Sequence, residues 1–282
     1  SHRMAEYFQN GCVFLAGDAA HVHSPVAAQG MNTGIQDALN LGWKLALGAR
    51  GLASEELVDS YDAERRPVGK AVLQFTDRIF RLASSRNGLL KLPRTKILPA
   101  VAPRASGSKA LRSRLFRTVS QLDTRYRGSH MVDTGDSRLP AFLTTGPKAG
   151  DRMPDAVVLE QGRERRLHDI LSTPGFHVLL SGPGWPADTQ LRLHDALGQL
   201  SPWLSVQRLS VGSRLAAADP SEIQDVSGLA FERLGLSVRR PEILVVRPDG
   251  HIGFRSQGTD ITGAVEYLER LTTPAAGSPA AV

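Results

Sequence analysis

The chain has 282 residues, of which 41% are hydrophobic, 22% charged and only 6% aromatic, with a formal net charge of +6. That length and apolar content exclude wholesale disorder and leave room for one large domain or two ordinary ones, each with a real core. No apolar run reaches the roughly 18 residues a membrane helix needs, and no signal-peptide pattern opens the chain. The single cysteine, Cys12, excludes an internal disulfide, a CxxC redox pair and a cysteine-rich zinc site.

In chain order, Cys-Val-Phe-Leu-Ala at 12–16 is a short apolar run between Gly11 and Gly17. It predicts a buried strand of the parallel type, with Cys12 an inert core or rim thiol. A loop of small residues runs from Ala19 to Gly30. A helix is expected from Asn32 or Thr33 to about Arg50, its apolar face made of Ile35, Ala38, Leu39, Gly42, Leu45 and Ala46. Gly51 is its expected C-terminal stop. Ser54 can cap a second helix whose first turn carries Glu55 and Glu56. Pro67 is expected to interrupt or kink that segment before a further helix reaches about Ser84.

Residues 84–149 turn Gly-, Pro-, Ser- and Arg-rich and read as a basic helical linker. Between Arg78 and Arg127 thirteen Lys or Arg residues face one acid, Asp123, while the rest of the chain carries 21 basic and 27 acidic residues. Such a stripe can mark a nucleic-acid surface. Phe80, Phe116 and Tyr126 make no stacking ladder, however, and Leu111, Leu115, Val119 and Leu122 recur at helical spacing. Arg-rich helices with solvated faces are the favoured reading, and no nucleic-acid partner is expected.

From Asp151 the pattern changes. Strands are expected at 156–159, 176–181 and 204–209, with a hairpin-type turn at Gly162-Arg163 and a helix start within 165–171. Helices are expected at 188–200, 221–234 and 261–271. Residues 242–247 and 251–255 form a hairpin around Pro248-Asp249-Gly250. That order is the one found in thioredoxin-like domains, here without any cysteine, so redox chemistry of that type is excluded. The tail 273–282 is Pro-, Ala- and Gly-rich and reads as disordered.

The chemistry sits in Val13-Phe-Leu-Ala-Gly17-Asp18-Ala-Ala-His21-Val-His23-Ser-Pro25-Val-Ala-Ala-Gln29-Gly30-Met31-Asn32-Thr-Gly34-Ile-Gln36-Asp37. A strand delivers Asp18 to its carboxyl end, where open α/β sheets bind ligands, and Asp18 can accept hydrogen bonds from polyol hydroxyls. The small-residue loop allows a flat ligand to approach, and the helix opening at Gly30 to Gly34 favours negative charge. A flavin dinucleotide has all three parts. His21-Val22-His23 beside Asp18 lacks a third ligand, so no metal is expected.

This segment, continued by Leu41-Gly42-Trp43-Lys44-Leu45 and Ser60-Tyr61-Asp62-Ala63-Glu64-Arg65-Arg66-Pro67, resembles the second FAD motif of the class A flavoprotein aromatic monooxygenases. The closest branch is that of phenol and aromatic-polyketide hydroxylases. Gly150-Asp-Arg-Met-Pro-Asp155-Ala and Val245-Val-Arg-Pro-Asp-Gly250 resemble the thioredoxin-like C-terminal domain of these enzymes. The resemblance implies an α/β fold in which 1–83 is the C-terminal part of a Rossmann-like FAD-binding domain, 84–149 a helical linker and 150–272 a thioredoxin-like domain. It implies FAD as cofactor, NADPH or NADH as co-substrate, molecular oxygen, and a small aromatic or polyketide-type substrate. A cytoplasmic location, no membrane partner and a homodimer are compatible with it.

By the same resemblance, Asp18 would hold the ribityl hydroxyls and Pro25 would lie beside the isoalloxazine. Gly30, Met31 and Asn32 would present backbone groups to the pyrimidine edge, and Gly17 and Gln29 would also belong to the cofactor site. The family has Gly-Gly where this chain has Ala27-Ala28, a substitution that costs something wherever positive φ is needed. No GxGxxG follows a strand. Together with the start at Ser1 rather than Met, this leads to the expectation of an inactive C-terminal fragment. Tyr61, Arg65 and Arg66 are candidates to brace the flavin domain, with a solvated helix face as the equal alternative. The rival for the whole chain is a non-enzymatic interaction or regulatory module with a remnant flavin segment.

Overall fold

A computed structural model describes residues 3–22, 29–84, 107–108, 112–113, 116–118, 120–135, 146–212 and 222–272. The chain divides into two units, Ser1–Gly42 with Tyr61–Thr124 and Trp43–Ser60 with Arg125–Val282. Pro25, Ala27-Ala28, most of the basic stripe and the tail 273–282 lie outside the described residues.

In the first unit β1 (Arg3–Met4) pairs antiparallel with β4 (His21–Val22), and β2 (Gln9–Asn10) pairs antiparallel with β3 (Val13–Phe14). The buried parallel strand expected at 12–16 is therefore a two-residue hairpin arm. Gly11 at φ 56° turns the chain back, so Cys12 and Val13 are exposed, Val13 by 65%. Phe14 and Leu15 pack instead on the small core of Phe8, Ala20, Leu41 and Tyr61.

Helix α1 (Gly30–Gly48) reverses the expected polarity. Thr33, Asp37, Asn40 and Lys44 are fully buried, whereas Met31, Ile35 and Leu39 are exposed. The reason lies on α2 (Glu55–Ser84), whose buried side carries groups complementary to those on α1. Asn40 Nδ2 donates to Glu64 Oε2 at 2.8 Å, Arg65 Nε donates to Asp37 at 2.7 Å, and Lys44 Nζ donates to Ser60 Oγ at 2.8 Å. Paired polar groups can occupy an interior that their apolar neighbours leave, provided every charge is met.

Both helix ends follow local rules. Gly51, at φ 67°, ends the first helix, with its N–H bonded to the Gly48 carbonyl and that of Leu52 to Leu47. Ser54 Oγ accepts from the Leu57 N–H at 3.2 Å and starts the second. Pro67 does not break α2. The buried positions 57, 60, 61, 64, 65, 69, 72 and 76 form one unbroken stripe, and Pro67 lies on the exposed side. Packing on either side of the proline holds the helix through it.

The second unit is built on a seven-stranded sheet, ordered β11-β10-β7-β8-β9-β5-β6. Its strands are β5 (Val157–Glu160), β6 (Arg163–Arg166), β7 (Phe176–Ser181), β8 (Leu204–Ser210), β9 (Glu222–Gln224), β10 (Glu242–Val246) and β11 (Ile252–Gln257). Strand β7 runs parallel to β8, and β8 parallel to β9; the other pairs are antiparallel. Strands β7 and β10 are buried along their whole length because both sheet faces are covered. Phe176, Val178, Leu180, Ile243 and Val245 point to one core, completed by α4 (Thr189–Leu197) and α6 (Thr262–Thr272). Leu179, Leu244 and Val246 point to the other, with α3 (Leu167–Ile170) and α5 (Leu229–Leu234). The two-residue period of a strand thus serves two cores at once.

The helix expected over 221–234 is instead β9 followed by the short α5. Gly228, at φ 74°, interrupts the chain between them, and Asp225 turns its carboxylate onto the Phe231 N–H at 2.8 Å. The hairpin turn falls on Gln161-Gly162, both at positive φ, one residue before the expected pair.

Candidate flavin-facing site

The turn carrying Gly17 and Asp18 is a short 3-10 segment, Gly17–Ala19, that follows β3. Gly17 adopts φ 58°, and a Cβ placed on Gly34 of α1 would stand 3.2 Å from the Gly17 Cα. Two glycines, seventeen residues apart, therefore let the turn touch the helix backbone. The Gly17 N–H is held by Asp37 Oδ2 at 3.1 Å. Asp18 stands exposed at the tip of this turn.

Asp37 is the centre of the support. Its carboxylate also receives His21 Nε2 and Arg65 Nε, each at 2.7 Å, and all three side chains are wholly buried. Burial alone would raise the Asp37 pKa, but the His21 hydrogen bond and the Arg65 charge outweigh it and hold the carboxyl below its ordinary value. Arg65 reaches on to the Thr33 carbonyl at 3.2 Å. His21 is thus engaged in an ionic cluster inside the unit. Its ring packs near Phe8, and Gly69 of α2 makes room for both.

The start of α1 is fixed separately. The buried Gln29 donates its side-chain amide to the Thr118 carbonyl at 3.2 Å, while its own carbonyl accepts from the Thr33 hydroxyl at 2.8 Å and from Gln121 Nε2 at 3.3 Å. Gly30, Met31 and Asn32 form the first turn of α1. Their backbone N–H groups, as in any first turn, have no intrahelical acceptor. The Met31 side chain is 76% exposed.

The structure thus brings Gly17 against the second turn of α1, and places Gln29, Gly30, Met31 and Asn32 at the helix entrance. Among the braces, Tyr61 is buried and donates its hydroxyl to the Leu15 carbonyl at 2.7 Å, and Arg65 is buried, but Arg66 lies on the surface beside Asp62.

Residues 1–76 match a family model described as an FAD binding domain. The chain is 34% identical over 293 aligned positions to the 6-methylpretetramide 4-monooxygenase of Streptomyces rimosus, covering 99% of this chain and 48% of that protein. It is 40% identical over 169 positions to the pentachlorophenol 4-monooxygenase of Sphingobium chlorophenolicum, over 60% of this chain and 28% of that one. Among solved structures, the OxyS anhydrotetracycline hydroxylase of Streptomyces rimosus matches with a TM-score of 0.67 at 29% identity, over 97% of this chain and 47% of that chain. The chain is thus similar to monooxygenases of aromatic and polyketide compounds, and it spans about half or less of the length of the proteins it matches.

The sequence motif marks candidate ligand-facing residues but not the support beneath them: Asp37 carries no role in it, and His21 is weighed there only as a metal ligand. The available signal was polar residues at helical spacing on α1, at 33, 37, 40 and 44, opposite Ser60, Glu64 and Arg65 on the next helix. Among the described residues no helix is long and apolar enough to cross a membrane.

Proposed function

We propose that this chain carries the flavin-facing C-terminal part of an NAD(P)H-using, FAD-dependent hydroxylase acting on aromatic, polyketide-type substrates. The observation that carries the reading is the contact of Gly17 with Gly34, which sets the exposed Asp18 beside the opening turn of α1 within a segment matching an FAD-binding family. Any Cβ at Gly34 would crowd that approach.

The residues fit the cofactor. Asp18 would accept from the ribityl hydroxyls, and the first-turn N–H groups at Gly30, Met31 and Asn32 would hold the pyrimidine edge and favour negative charge there. Gln29, whose side chain is engaged with Thr118, holds the helix entrance in place. When bound, the flavin supplies electron transfer from NADPH or NADH and the activation of molecular oxygen. The buried Asp37–His21–Arg65 cluster keeps the Gly17 turn in one position, so Asp18 needs no rearrangement to bind.

In this reading residues 1–83 complete an FAD-binding domain whose adenine half lies outside these 282 residues, and 84–149 link it to a thioredoxin-like domain at 150–272. The parallel β7–α4–β8 crossover, the β10–β11 hairpin and the closing α6 support that last assignment. The chain alone is inactive, and the cytoplasm is its compartment. The test is an FAD titration of the chain with the N-terminal half of the Streptomyces rimosus 6-methylpretetramide monooxygenase supplied in trans. Saturable quenching of flavin fluorescence is expected. No binding by a chain that is folded by circular dichroism would overturn the reading in favour of a non-enzymatic module.

A further inference from the structure

The second unit contains a cavity of about 100 Å³ formed entirely by its own residues. Trp43 and Leu47 from the end of α1, Phe176 at the start of β7, Trp203 before β8 and Pro248 of the β10–β11 turn make its walls, and Arg50 stands at its edge. The lining is almost wholly apolar. A dry apolar cavity of about 150 Å³ accepts benzene, so this volume, open on one side, is on the scale of one ring.

The walls are rigid and aromatic. Trp43 meets Phe176 edge-to-face at 5.6 Å between centroids and 86° between planes. Gly175, at φ 139°, passes directly against the Trp203 carbonyl, so the backbone itself sets one wall. Arg247 lies over the Trp43 ring at 5.2 Å and Arg50 over the Trp203 ring at 4.8 Å.

One polar feature at the cavity edge points to the chemistry of a ligand. Arg50 is exposed, and of its guanidinium only Nη1 donates within the described residues, to the Ala46 carbonyl at 2.8 Å. Its remaining N–H groups suit a carboxylate at the cavity mouth.

We propose that this cavity is a binding site for a monocyclic aromatic carboxylate of the benzoate type, one that needs no flavin. The ring enters between the indoles and Phe176, and the carboxylate stays at the Arg50 edge. The test is a titration of the full chain with benzoate, followed by tryptophan fluorescence and by the indole N–H signals in ¹⁵N-labelled protein. Trp185 is an internal control, because its Nε1–H is already donated to the Ser181 carbonyl.

Saturable binding that moves the Trp43 signal and leaves that of Trp185 in place is expected. Ala46→Phe, on the exposed lining, should fill the cavity and abolish binding. Arg50→Gln should weaken benzoate about threefold, the size of an exposed charge pair, without changing the weaker binding of phenol. No saturable change with benzoate would overturn the proposal, as would equal affinity in a folded Ala46→Phe chain. Equal benzoate affinity in Arg50→Gln would remove the carboxylate from it.

Discussion

Replacing Arg65 by Met tests the cluster under the Gly17 turn most directly. The Arg65 and Asp37 side chains are both 0% exposed, so the substitution keeps the volume and leaves a buried carboxylate without its cation. Breaking a buried pair from one side costs about 3–5 kcal/mol. Asp37 would keep His21 and the Gly17 N–H, which places the expected loss near the lower limit, about 3 kcal/mol. The pH dependence has a definite sign. In the native chain the Asp37 pKa lies below its ordinary value of 3.8, so its contribution is present above that value and is lost as pH falls through the folded pKa. Without Arg65 the carboxyl loses part of what holds its pKa down, so the pKa rises and protonation relieves the variant first. The deficit should be full at about pH 7 and shrink towards about pH 4. Urea unfolding followed by far-ultraviolet circular dichroism at both pH values measures it. A loss under about 1 kcal/mol, or one that does not change with pH, would refute the assignment of Arg65 as the counter-charge.

Gly34→Ala separates helix propensity from close approach. The gain of about 1 kcal/mol from removing a mid-helix glycine should be offset by crowding against the Gly17 Cα, leaving stability nearly unchanged in a urea melt. FAD affinity in the trans titration should nevertheless fall by about tenfold, because the turn that carries Asp18 moves. Gly175→Ala meets both a positive φ and the Trp203 carbonyl, and a loss of roughly 3 kcal/mol or more is expected by the same melt. Asp249→Asn leaves Arg247, 1% exposed and held between the Trp43 and Tyr126 rings, without its carboxylate. About 3 kcal/mol should be lost at neutral pH, with less difference in acid, because Arg247 and His251 hold the Asp249 pKa well below its ordinary value despite burial.

The second unit was largely legible in its pattern. Its inner strands are short apolar runs bounded by turn residues, and a run such as Phe176–Ser181 has few other ways to satisfy its backbone once buried. Where the reading failed there, at 221–234, helix and strand propensities compete over a few residues. Pairing of Ile223 between two strands, which is not local information, decided the outcome. The approach of Gly17 to Gly34 was legible for a different reason: a close backbone contact requires glycine, so the residue type itself records it.

Residue types and local spacing were enough to indicate an α/β protein with the Gly51 stop of α1, the Ser54 cap of α2, the β7, β8 and β10–β11 strands, and a segment that matches an FAD-binding family. Each depends on interactions within a few residues, or on a backbone demand that only one residue type meets. The face that α1 buries was not decided by residue type and local spacing alone. Apolar periodicity selected Ile35 and Leu39, yet the folded chain encloses Asp37, Asn40 and Lys44, because α2 supplies Arg65, Glu64 and Ser60 at matching heights. A buried charge costs several kcal/mol until its partner arrives. For Asp37 that partner, Arg65, stands 28 residues away in the chain, and only the packing of one helix against the other brings it there.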